Sequence, residues 1–86
     1  MRPEDLLGLQ RAQPFVPFRI HMTDGKFYDI VHPEAVMVVR TRAIIGLRPD
    51  PKNHYFTGTD QIALLHIVRT SEIPPVEAEQ TSSPAS

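Results

Sequence analysis

Three observations predict a mainly β domain, a small five-stranded barrel left partly open and fitted with a short N-terminal helix. The chain has 86 residues, enough for one domain. Between residues 17 and 70, short runs of β-branched and aromatic residues alternate with turn residues. The clearest helical signal, PEDLLGLQRA at residues 3–12, stands ahead of them. A helix followed by short strands and tight turns points to a small twisted sheet that curls on itself, with the helix over one open end.

The helix is read from its ends. Pro3 suits the first helical position, and Glu4 and Asp5 favour the positive end of the helix dipole. Leu6, Leu7 and Gln10 share a face by helical spacing, with Leu9 nearby. Gly8 weakens the segment by about 1 kcal/mol relative to Ala, so packing must hold it. Pro14 and Pro17 then keep the link PFVP extended, and Phe15 within it is expected to anchor on the core.

The hairpin Phe15 to Val39, built around Asp24-Gly25, is the best-determined part. A two-residue Asp-Gly loop would pair Ile20 with Asp29 and set a carboxylate beside the core. A three-residue loop, Thr23-Asp24-Gly25 with Gly25 in the left-handed region, pairs Ile20 with Tyr28 and Phe18 with Ile30. One step of register exchanges the two faces of a strand. The three-residue loop gathers Phe18, Ile20, Met22, Tyr28 and Ile30 on one face. It leaves Arg19, His21, Thr23, Phe27 and Asp29 on the other, with Arg19 across from Asp29, a pairing worth roughly 0.2–1 kcal/mol. The spacing therefore predicts the bulged turn, with strands at 17–22 and 27–32.

His32-Pro33-Glu34-Ala35 interrupts the extended pattern because Pro33 cannot donate to a ladder. The Glu34 carboxylate is expected to accept backbone N–H bonds of that turn. A third strand is predicted at 36–40, a fourth at 43–47, a loop over 48–53 and a short edge strand at 54–57. Gly58-Thr59-Asp60 reads as a turn. The last element is strand over 64–70, with 61–65 open between helix and strand. Residues 1–73 form the domain. Residues 74–86 hold Pro, Glu, Ser, Thr, Ala and Gln with one large aliphatic, Val76, and are expected to be a disordered tail.

The stretch RIHMTDGKFY resembles the first hairpin of SH3-like and Sm-like small barrels, where an apolar strand meets an Asp-Gly turn. More closely, PFVPFRIHMTDGKFYDIVHPEAVMVV with the later ALLHIV is similar to a group of short bacterial proteins. They share a PF-x-PF opening, a T-D-G turn, a His-Pro-Glu and a late Leu-His-Ile over roughly residues 14–70. The resemblance implies an SH3/Sm-like barrel and brings no activity with it.

Composition narrows the function classes. Cysteine is absent, so disulfides and thiolate metal sites are excluded. No apolar run reaches transmembrane length and the N-terminus lacks a signal-peptide core, so a cytoplasmic chain away from membranes is the expectation. The net charge is -1, which argues against a strong electrostatic grip on nucleic acid. No metal or cofactor is expected; His21, His32 and Glu34 would be the nearest thing to a ligand set, without a recognisable spacing. No catalytic constellation is visible, and Ser71, Ser82, Ser83 and Ser86 lack a nucleophile-elbow context.

The favoured expectation is a non-enzymatic interaction module that binds another protein or itself, as a homo-oligomer, through Arg19, His21, Phe27 and Asp29 and the sheet edges. The alternative is an Sm-like nucleic-acid binder with Arg40, Arg42 and Arg48 on phosphate and Phe27, Tyr55 or Phe56 stacking on bases.

Overall fold

The computed structural model describes residues 1–53 and 55–73. Helix α1 (Pro3–Arg11) begins as its proline and acidic first turn require. Leu6 is fully buried, and Leu9 packs against the same core. Extended backbone at Ala12 ends the helix. Phe15 then sets its ring edge-on to Phe18, with centroids 6.0 Å apart.

Six strands follow among the described residues, one more than expected: β1 (Phe18–Met22), β2 (Phe27–Ile30), β3 (Val36–Val38), β4 (Arg42–Pro49), β5 (Phe56–Ala63) and β6 (Ile67–Glu72). They form two three-stranded antiparallel sheets, ordered β2-β1-β6 and β3-β4-β5, and neither closes on itself. A 3-10 turn, Pro33–Ala35, carries the chain from the first sheet to the second. Another, Leu64–His66, carries it back.

The hairpin takes the register that face sorting requires. Phe18 pairs with Ile30, Arg19 with Asp29, Ile20 with Tyr28 and His21 with Phe27. The Met22 N–H donates to the Lys26 carbonyl, and the Gly25 N–H returns to the Met22 carbonyl. Gly25 has φ of 89°, a region that strains any residue with a Cβ. The Asp24 carboxylate accepts the Lys26 N–H at 2.9 Å and braces the turn.

The second half departs from the sequence reading. β3 stops at Val38, and β4 extends from Arg42 through Pro49 into the expected loop. Gly58-Thr59-Asp60 is not a turn, because β5 runs straight through it; the 54–57 strand begins only at Phe56, and His54 lies outside the described residues. The 64–70 segment is a 3-10 turn followed by β6. Gly58 reads as a turn residue but serves close approach, as does Gly46 inside the expected strand. A Cβ at Gly46 would stand 2.6 Å from the Phe56 ring, and one at Gly58 would overlap the Arg48 guanidinium. Arg48 itself takes φ of 50°, which is strained for an L residue. The tail at 74–86 lies outside the described residues.

The core forms between the sheets. Phe18, Ile20, Ile30 and Ile67 come from the first and Val36, Ala43, Ile45 and Ile62 from the second, with Ala35 and Leu64 at the corners and Leu6 from the helix. Gln10, not Glu34, holds the Pro33–Ala35 corner. Its side-chain amide donates to the Pro33 carbonyl at 2.9 Å and the Val36 carbonyl at 2.6 Å. A long amide on a docked helix reaches both carbonyls, whereas the exposed Glu34 carboxylate accepts no bond from the turn among the described residues.

Two substitutions separate the glycine roles. Gly25→Ala should cost about 1 kcal/mol through backbone strain alone. Gly46→Ala should cost roughly 1–3 kcal/mol because it displaces the Phe56 ring. Urea unfolding reads both, and an unchanged Gly25→Ala would contradict the bulged turn.

Candidate functional site

The outer face of the β2-β1-β6 sheet collects the polar and aromatic side chains that the hairpin register turns outward. β1 sits in the middle, and its neighbours on both sides are fixed by pairing. Arg19 lies between Asp29 on β2 and Ser71 on β6; His21 lies between Phe27 on β2 and Arg69 on β6. Two rows of three thus cross the sheet. Thr23, also expected on this face, sits in the turn with its N–H bonded to the His66 carbonyl.

Arg19 organises the array. Its Nε donates to Asp29 Oδ1 at 2.7 Å and its Nη2 to Oδ2 at 3.2 Å, the fork-to-carboxylate geometry that gives direction as well as attraction. The two side chains keep only 20% and 17% of their exposure, so the pair is partly shielded from solvent screening. The same guanidinium carbon lies 4.4 Å from the centre of the Phe27 ring, a contact worth roughly 0.5–1 kcal/mol near a surface. Phe27 is held flat from one side while 53% of it faces solvent.

His21 Nε2 and Ser71 Oγ share a hydrogen bond of 2.9 Å. Desolvation, and then the Arg69 and Arg19 cations, hold the imidazole below its ordinary pKa against the opposing pull of Asp29. The shift favours the neutral form of the ring. A serine bonded to a neutral histidine is the beginning of a nucleophile pair. Asp29, the nearby carboxylate, gives both oxygens to Arg19, so it does not orient the ring for proton transfer.

Tyr28, expected in the core, is only half-buried and packs against it. Its hydroxyl donates to the Asp60 carboxylate on β5. That bond, then desolvation and the carboxylate charge, push the phenol up to about 12.

The arginines expected to hold phosphate do not form one patch. Arg40 and Arg42 are exposed at one end of β4, with Arg42 bonded to Gln61. Arg48 lies six residues along the strand, roughly 20 Å away at the rise of an extended chain, and its side chain rests over Gly58. His32 and Glu34 line a separate cleft of about 450 Å³ with Tyr55, Phe56, Pro49 at the end of β4 and Pro51 of the following loop. The loop is braced by Asp50, whose carboxylate accepts the Lys52 and Asn53 N–H groups and is held below its usual pKa mainly by the first of them. His21 is thus apart from His32 and Glu34, and no group of three metal-ligating side chains forms among the described residues.

Ser71, Arg69 and Asp60 were missed as site residues because each joins through a long-range pairing. The alternation Arg69-x-Ser71 is the local trace of their shared face, but nothing local says which strand lies beside it.

The Tyr28–Asp60 bond gives a pH prediction. A phenol whose folded pKa is raised adds stability that is complete below the unfolded value of about 10 and is lost as pH climbs toward the folded value. Between pH 10 and about 12 the wild type should lose stability faster than Tyr28→Phe. Urea unfolding across that window tests this, and parallel losses in the two proteins would refute it. No protein-family model, no curated protein and no solved structure matches the chain.

Proposed function

We propose that this chain is a small β-barrel binding module that engages a protein partner through the outer face of its β2-β1-β6 sheet. The barrel reading is supported by the chain path: a hairpin, a three-strand meander, and a last strand returning beside β1 through a 3-10 corner. That path is similar to an SH3/Sm-like barrel. The observation that carries the binding reading is the exposed Phe27 ring, stacked on an arginine that is itself locked to Asp29. A rigid aromatic loses little side-chain entropy on docking, and aromatic and arginine residues dominate interface hot spots.

Binding is favoured over catalysis because the polar groups of this face are committed to one another. Protein is favoured over nucleic acid because a backbone-tracking site needs a continuous basic groove. The arginines are divided between the two ends of β4, and the net charge is -1.

Capture from native lysate with the full chain tests the reading. Phe27→Ser should weaken retention of the captured proteins by about 10- to 100-fold, the loss typical of a hot-spot residue. Arg42→Glu should leave retention unchanged. Equal capture by wild type and Phe27→Ser would remove this face as the contact surface. Salt-sensitive binding of single-stranded RNA or DNA that Arg42→Glu abolishes would favour the nucleic-acid reading instead.

A further inference from the structure

Each sheet has two edge strands, and three of the four are blunted. β2 has only four residues, with Lys26 before it and Pro33 shortly after. β3 has three. β6 carries exposed Arg69 and Glu72 and a register shift opposite His21/Met22. Short length, charge, proline and bulges are the usual means by which proteins stop edges from pairing. β5 is long, unbulged and free of proline, and Asp60 is its one charge.

β5 runs eight residues, Phe56–Ala63, without proline, lysine, arginine or glutamate. Its ladder to β4 keeps one offset from Arg42↔Ala63 to Pro49↔Phe56, so no bulge bends it. Its single charged residue, Asp60, is bonded inward to Tyr28. The exposed positions are Thr57, Thr59 and Gln61. Its C-terminal half borders a cleft of about 360 Å³ shared with the β1–β2 turn. Among the described residues, β5 pairs only with β4, which leaves one row of its backbone N–H and C=O groups for another strand.

We propose that β5 pairs antiparallel with β5 of a second copy of this chain, with Thr59 on the two-fold axis. The register follows from parity. A two-fold axis normal to the sheet keeps the inner face inner, so residues facing each other across the new ladder are both even or both odd. Centring on Asp60 would set two carboxylates face to face, which is destabilising. Centring on Thr59 avoids this. Thr57 then faces the partner's Gln61, and Phe56 faces the partner's Ile62. These are a polar outer row and an aromatic–β-branched inner pair, both favourable across strands. The ladder is built from β5 residues and uses none of Arg19, His21, Phe27 and Asp29, so it is a separate proposal from the contact surface.

The absence of cysteine makes the test clean. In the full chain, Thr59→Cys should oxidise to a disulfide-linked dimer, because directly opposed strand residues lie about 4.5–5.5 Å apart, within disulfide range. Thr57→Cys should not, since its two copies would stand about 14 Å apart. Light scattering on the wild type should give twice the monomer mass. Thr59→Lys, which places two cations on the axis, should weaken the dimer by at least about tenfold. Phe27→Ser should stay dimeric. A monomer at hundreds of micromolar, a larger assembly, equal cross-linking at 57 and 59, or a dimer lost with Phe27→Ser would each overturn the proposal. If Thr59→Lys fails to fold by circular dichroism, the cysteine pair decides alone.

Discussion

The left-handed backbone at Gly25 is the constraint on which the rest depends. A three-residue loop, and not a two-residue one, sets the parity of β1 against β2. Parity sends Phe18, Ile20 and Ile30 inward and Arg19, His21, Phe27 and Asp29 outward. β1 is the central strand of its sheet, so the same parity passes to β6, where Arg69 and Ser71 join the outer face. One residue's φ thus decides both what the core contains and what the surface offers.

The second half is organised by close approach. Gly46 admits the Phe56 ring and Gly58 admits the Arg48 guanidinium, so Gly58, which resembles a turn signal, instead lies within a long β4–β5 ladder. The chain changes sheets at two 3-10 corners, and each is tied from a distance. Gln10 holds the first corner by two carbonyls. At the second, the Leu64 N–H donates to the Thr41 carbonyl and the His66 carbonyl accepts from Thr23. These bonds stabilise the corners where neither sheet ladder reaches, and buried backbone groups there would otherwise lack partners.

The outer face holds its side chains in one defined arrangement. Arg19 stacks on Phe27 and forks onto Asp29, so three side chains lose freedom together in one arrangement. Ordering that is already present in the free protein does not have to be met again on binding. His21, flanked by two arginines and bonded to Ser71, adds a hydrogen-bonding group whose proton is not freely held.

The sequence by itself determined the helix, the hairpin register, the outward set around Arg19 and the inward Phe18, Ile20 and Ile30. These follow from local rules: helix-end chemistry, strand alternation and the φ that only glycine accepts easily. The tertiary structure alone decided the six-strand count, the path of β5 through Gly58, the half-buried place of Tyr28 and the division of the arginines between the two ends of β4. Each of these turns on which distant strand lies alongside. Gly58 reads as a turn until Arg48 lies over it, and Tyr28 reads as core until Asp60 takes its hydroxyl. Local periodicity carries no record of such pairings, because they are settled by how two sheets pack and not by the residues next in line.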